Sequence, residues 1–507
     1  MTFFISIVIV VLIVLFGAIS PELFASAAAQ VLKMTTTNFG WFYLIVTFGF
    51  LIFCLFLAFS RYGQIPLGGD DDEPEYSLPT WFAMLFSAGM GIGLVFWGVA
   101  EPISHYFAPP AGVTGQTTEA AQTALRYAFF HWGLHPWGIY AVIALALAYF
   151  QFRKGAKGLI SSTFLPLLGD KVNGPIGKGI DVLAVIATAF GVATSLGLGT
   201  LQINGGFTHL FGVPSNLFVQ IAIIVVITVL FLVSATTGLD KGIKYLSNTN
   251  LILALALLFL TLVLGPTSFL FDTFTSTLGS YLNNLVSMSL RLTPFTQGTW
   301  VANWTLFYWA WWIAWAPFVG MFIARVSKGR TIKEFVICVM LVPSLLSFIW
   351  FSVFGGTALH LEIFDQAQIG QAVQNDISTA LFLALEQLPM GYILAVVATL
   401  LVITFFITSA DSAIFVLGML SSDGKLNPSN RVKITWGILQ SAIAVVLLLS
   451  GGLEGLQTAS IVAALPFAVI MVLMCYSLLK ALKEEDQLVK KQRKEQQRKL
   501  ERLLEKS

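Results

Sequence analysis

The sequence predicts an all-α polytopic membrane protein with twelve transmembrane helices, and three observations predict it. Of 507 residues, 57% are hydrophobic and only 11% are charged, whereas a soluble domain carries about 25% charged residues. Twelve stretches are apolar over roughly the 20 residues that a hydrocarbon core of about 30 Å requires. Lys and Arg alternate with those stretches as the charge bias of membrane loops demands.

The twelve stretches are centred near 3–19, 41–60, 80–100, 127–151, 181–203, 215–236, 248–265, 299–324, 333–356, 387–408, 431–450 and 456–480. The first starts at Met1 without a basic region ahead of its apolar run, so it reads as a span and not as a signal peptide. With the N-terminus in the cytoplasm, all of the 28 basic residues except Lys33, Arg126 and Arg291 fall on the cytoplasmic side. The reverse orientation would invert that ratio, and one missed span would scramble it. Both termini are therefore expected in the cytoplasm of a cell whose plasma membrane the chain crosses many times.

Soluble chemistry finds little support. Cys54, Cys338 and Cys475 all fall within spans and read as small buried hydrophobes. The five histidines are scattered without ligand spacing, and there is no Walker A loop, no H-E-x-x-H and no nucleophile–base pair. An enzyme is not expected, nor a nucleic-acid partner at a net charge of +2.

Two spans read as interrupted. The third contains Ser87-Ala-Gly-Met-Gly-Ile-Gly93, whose three glycines each weaken a helix by about 1 kcal/mol relative to alanine. The eighth contains Trp311-Trp-Ile-Ala-Trp-Ala-Pro317, and Pro317 removes a backbone hydrogen bond. Freed backbone groups are tolerated in a membrane only where they line a cavity or are buried in protein. Broken spans in matching positions of two halves point to a transport site; ordinary helix packing is the plainer alternative. Spans three and eight are five apart, which suggests two five-helix repeats of opposite orientation. The expected organisation is two N-terminal helices (1–66), a first repeat of spans 3–7 (67–266), an outer connecting helix (267–298), a second repeat of spans 8–12 (299–482) and a basic cytoplasmic helix (483–507). Phe271, Phe274, Leu278, Leu282 and Leu285 recur at helical spacing in the connecting segment, which reads as an amphipathic helix on the outer surface.

Aromatic residues cluster in two spans. The fourth holds Trp132, Trp137 and Tyr140, and the eighth holds Phe307, Tyr308, Trp309, Trp311, Trp312 and Trp315. Interfacial anchoring explains Trp304 and Phe307 but not Trp312 and Trp315, which sit near mid-span. Indole faces over a dry cavity attract a cation by about 2 kcal/mol or more. A quaternary ammonium suits such a cage because it has charge but no N–H to satisfy. Glu101 and Asp411 fall near span ends, so no carboxylate counter-charge is expected beside the cage.

The string Ala88-Gly-Met-Gly-Ile-Gly-Leu94 with Ala100-Glu-Pro102, and the long string from Trp304 to Arg325 followed by Ser327-Lys-Gly-Arg-Thr331, resemble the betaine/choline/carnitine transporter family, nearest to its bacterial sodium–glycine betaine symporters. The resemblance spans the whole membrane region. It implies a LeuT-type inverted-repeat core with two extra N-terminal spans, commonly as a homotrimer. It implies a cage of Trp132, Trp137, Tyr140 and Trp312 with Trp315 beside it. Backbone of Gly89, Met90, Gly91 and Gly93 would meet the substrate carboxylate. One sodium site would lie between Ser87, Met90 and the segment from Phe405 to Thr408 and Ser409. A second would use Thr188 and Phe318, but a further family threonine falls on Val192, which has no oxygen to offer. No cofactor is implied, only Na+ as coupling ion. A sodium-independent carnitine/betaine exchanger and a proton-coupled choline carrier are the alternatives within the family. A channel would show a polar pore-lining stripe, which is absent. The tail from Lys483 reads either as a solvated topology anchor or as a sensor that holds anionic lipid and responds to ionic strength.

Overall fold

The computed structural model describes residues 1–89, 91–237, 240–296 and 298–504. These are helical nearly throughout: α1 (Thr2–Ile19), α2 (Pro21–Phe59), α3 (Leu78–Gly89), α4 (Ile92–Phe107), α5 (Thr118–Trp132), α6 (Leu134–Ala148), α7 (Pro175–Phe211), α8 (Leu217–Thr237), α9 (Asp240–Leu264), α10 (Thr267–Ser289), α11 (Phe307–Val326), α12 (Ile332–Phe364), α13 (Gly391–Ser421), α14 (Asn430–Leu449) and α15 (Gly452–Leu504). Short helical turns fill several of the connections.

Among the described residues, eleven helical segments are long and apolar enough to cross a membrane. The expected span at 80–100 is not one of them, because it is two helices of 12 and 16 residues, each too short to cross alone. The chain parts between Gly89 and Ile92, where Gly91 is fully extended (φ −168°, ψ 179°).

A second break was not foreseen. The fourth span divides at Gly133 into α5 and α6. A Cβ there would lie 2.6 Å from the Phe348 ring, so only glycine fits. The expected break at Pro317 does not occur: α11 runs through it. One missing N–H is too little to part a helix that its neighbours enclose on nearly every side.

Helices α7 and α11 form the centre. Both are buried round most of their circumference, as helices without a polar face must be. Helix α10 lies on the end of the bundle that carries Arg126 and Arg291. It is anchored by Tyr281, which is fully buried and rests on the Phe348 ring at 5.2 Å.

The basic tail is not a separate helix. No Gly or Pro interrupts 467–504, so α15 continues for 53 residues from Gly452 into the tail. Its first exposed turn is pinned to the bundle. Glu485 pairs with Arg153 and with Lys154 (2.6 Å), and accepts from the Tyr149 hydroxyl (2.6 Å). Burial pushes the Glu485 carboxyl up, but Lys154, Tyr149 and Arg153 outweigh it and hold it below the usual carboxylate range. Asp486 pairs with Arg61 at 3.2 Å. The acidic loop ahead of α3 is engaged by other bases: Asp70 by Arg153 (2.9 Å) and Asp72 by Lys328 (3.7 Å).

Candidate functional site

Both breaks lie beside α11: a Cβ on Gly93 would meet Trp311, and Trp312 reaches the end of α5. Where α5 ends, its last carbonyls lose their helical partners. The Trp312 indole N–H donates to one of them, His131 O, at 3.0 Å. Where α6 begins, the Leu134 N–H donates to the Tyr281 hydroxyl at 3.3 Å. The break at Gly133 thus supplies the acceptor that orients Trp312.

Beside it lies a cavity of about 280 Å³, at the small end of ligand sites. Its walls include Trp132, Tyr140, Trp311, Trp312 and Trp315. The Trp132 and Trp312 rings meet edge to face with centroids 4.8 Å apart and planes at 77°. Tyr140 stands at 79° to Trp312, 6.2 Å away, and Trp311 is stacked on Trp312 at 4.9 Å. Trp315 donates its N–H to Gly191 O at 2.7 Å. Trp137 is not on the wall; it packs behind Tyr140 at 5.4 Å.

The start of α4 forms the facing wall with Gly91, Ile92, Gly93 and Leu94. The first N–H groups of a helix have no intrahelical partner and carry its positive end, so they present donors to an anionic group. Nothing lies within 4 Å of where a Gly91 Cβ would be. At Gly93 a Cβ would overlap Trp311 and come within 3.1 Å of Trp132. Gly91 therefore borders empty space, while Gly93 admits two indoles. Gly89 ends α3, and Met90 lies outside the described residues.

Ser87, Phe405, Thr408 and Ser409 line the same cavity. Thr408 donates to Thr404 O at 3.0 Å and accepts from Asn250 Nδ2 at 2.9 Å. Asn250, with Ser247, joins this wall from α9; the Ser-Asn-Thr-Asn run 247–250 inside an apolar helix was the available signal for it. Phe318 is also on the wall, but Thr188 is not, and its hydroxyl donates to Ala184 O at 2.8 Å.

The sequence reading of the acidic and imidazole side chains needs correction. Glu101 is not at a span end, because the broken span runs to Phe107 and encloses it completely. Its carboxylate accepts from Trp132 Nε1 (2.8 Å) and the Tyr308 hydroxyl (2.6 Å) on one oxygen. On the other it meets His131 Nδ1 (2.6 Å) and His105 Nε2 (3.1 Å). Two of the five histidines, scattered in sequence, thus converge on one carboxylate behind the cage. Their ligand atoms lie within 4.8 Å of one another, as a metal site would require, but the carboxylate is already taken up by four neighbours.

Among the described residues the cavity leads on to a larger one. Phe318, Phe322 and Ser412 also line a vestibule of about 930 Å³ whose walls include Lys157, Arg325, Asp411 and Lys433. On the opposite side Trp97, Trp304, His105, Tyr127 and Trp300 pack edge to face, with His105 4.4 Å from Trp304 and Tyr127 4.8 Å from Trp300.

A small aromatic cavity at the middle of a helical membrane bundle, leading on to a larger cavity on one side and backed by packed aromatic rings on the other, defines a multi-pass membrane transporter. Residues 1–487 match the model of the betaine/carnitine/choline family of transporters, and the chain belongs to that family. It is 55% identical over 495 residues to the glycine betaine transporter OpuD of Bacillus subtilis, covering 97% of this chain and 96% of the relative. A probable glycine betaine transporter of Desulfitobacterium hafniense is 50% identical over 485 residues, 95% of this chain and 97% of the relative. An ectoine/hydroxyectoine transporter of Virgibacillus pantothenticus is 50% identical over 481 residues, 95% of this chain and 96% of the relative.

Proposed function

We propose that this transporter imports glycine betaine by sodium symport across a bacterial plasma membrane, and that osmotic stress activates it. One observation carries the substrate: a single cavity has indole and phenol faces on one side and the N-terminal end of α4 on the other. A zwitterion with a quaternary ammonium and a carboxylate satisfies both walls. Choline, lacking a carboxylate, leaves the second wall idle. The relative named for ectoine makes that zwitterion the competitor to test.

Sodium coupling rests on the oxygens of Thr408 and Ser409 on the same wall as Ser87, since a hard cation takes oxygen ligands. The second site is the weaker part of this reading: Thr188 is turned back on its own helix, and Val192 offers no oxygen. With the basic loops in the cytoplasm, the vestibule beside Arg325 and Lys433 is the inner exit, and both termini are cytoplasmic. The halves 67–266 and 299–482 act as inverted repeats that rock about the cavity, with three copies forming the working unit. Lys491, Arg493, Lys494, Arg498 and Arg502 make the outer tail a partner for anionic lipid.

The test is uptake of labelled betaine into proteoliposomes with and without a sodium gradient. Uptake that requires sodium, and that excess unlabelled betaine blocks better than ectoine, is expected. Preferential block by ectoine, or uptake indifferent to sodium, overturns the corresponding half of the proposal.

A further inference from the structure

Glu101 is an acidic residue with no exposed surface inside a membrane bundle, and such a residue calls for a charge partner. Its two oxygens are approached by four groups, which matches the roughly four lone-pair sites of an ionised carboxylate. Trp132 Nε1 can only donate to it, and the Tyr308 hydroxyl donates to the same oxygen.

The two imidazoles need not balance its charge. With Nδ1 of His131 donating to Glu101, its Nε2 lies 3.0 Å from the Thr305 hydroxyl. That is the one hydrogen bond of Thr305 among the described residues, so its hydroxyl proton is free to meet Nε2 when that nitrogen is bare. His105 donates from Nε2, while its Nδ1 is buried without a partner. A proton there would be a buried, unpaired donor, which a low-dielectric interior penalises. Both rings can be satisfied as neutral imidazoles with Glu101 ionised. No Lys or Arg among the described residues lies within ion-pair distance of Glu101. In that arrangement one net negative charge stands behind the cage.

Its contacts lead into the cavity. Trp132 is itself a wall of the cavity, and Tyr308 is stacked 6.1 Å from Trp312, the neighbouring wall. An anion that accepts from an indole N–H or a phenol O–H pushes electron density toward that ring and strengthens the negative face that a cation sees. We propose that Glu101 is the counter-anion of the substrate's quaternary ammonium: a positioning residue that acts through Trp132 and Tyr308 and makes the empty site selective for cationic headgroups. This rests on the betaine reading of the cavity.

The experiment measures binding to the purified full-length carrier in sodium by calorimetry, using betaine and tetramethylammonium as separate probes. Glu101→Gln keeps the shape and removes the charge; Glu101→Asp keeps the charge and alters the shape. The Gln variant is expected to weaken both probes at least tenfold and by similar factors, and the Asp variant to lose less than the Gln variant. A merely structural Glu101 predicts the reverse order, with the isosteric Gln tolerated better. Parental affinity in the Gln variant, or Asp worse than Gln, overturns the proposal. If the Gln variant does not fold, Asp is read alone: affinity within tenfold of the parent supports the proposal, and loss of measurable binding overturns it. Failure of the parent to bind either probe refutes the betaine reading itself, and so is told apart from failure of the counter-anion.

Discussion

Replacing Trp312 by leucine removes one face of the cage and nothing from the wall at α4. Trp312 stands 4.8 Å from the Trp132 ring centroid, lies on the cavity wall and is fixed by its bond to His131 O. A desolvated indole–cation contact contributes about 2 kcal/mol, so Trp312→Leu should weaken betaine binding by about thirtyfold. Both Trp312→Leu and Trp312→Phe leave the His131 carbonyl without its donor, but Phe keeps an aromatic face. An unsatisfied buried acceptor costs about 1–3 kcal/mol of stability, so both variants should melt earlier, with phenylalanine losing less affinity than leucine. Calorimetric titration with betaine, beside thermal unfolding of the same samples, separates the two effects. A leucine variant that binds like the parent would refute the assignment of Trp312 to the cage.

Thr408→Ala combined with Ser409→Ala removes two hydroxyls from the wall; the sodium concentration for half-maximal uptake should rise several-fold, and an unchanged sodium dependence rejects this ion site. Gly93→Ala places a methyl against Trp311 and Trp132, so it should lower both the melting temperature and betaine affinity, with overpacking costing about 1–3 kcal/mol. Gly91→Ala enters open space and should reduce affinity alone; equal effects of the two would contradict the wall geometry. Truncation after Leu488 keeps Glu485 and Asp486 in their ion pairs and should flatten the rise of uptake with osmolality at similar betaine affinity. Truncation after Lys483 should in addition lower the melting temperature by several degrees, and normal osmotic activation of the shorter carrier would place the sensor elsewhere.

The sequence by itself determined the class, because solvation in lipid is a bulk property: length of apolar runs and placement of Lys and Arg are one-dimensional signals. It also located the break at Gly89–Gly93, since weak helix formers at alternate positions act locally. It supplied the aromatic residues but not their use. In α6 and α11, both buried round most of their surface, hydrophobic period carries no information about which side faces a cavity; hence Trp311 was passed over, and the resemblance alone put Trp137 in the wall. Pro317 looked like a break because local chemistry was weighed without the packing that holds the helix together. The gap at Gly133 was missed although Pro136 has no N–H to offer the Trp132 carbonyl; the ring that demands glycine there, Phe348, is distant in sequence. Glu101 was hidden most completely. His105 lies one turn away on the same helix, but His131, Trp132 and Tyr308 come from two others, and only tertiary folding brings their donors to this carboxylate, because a buried charge is satisfied largely by groups distant along the chain.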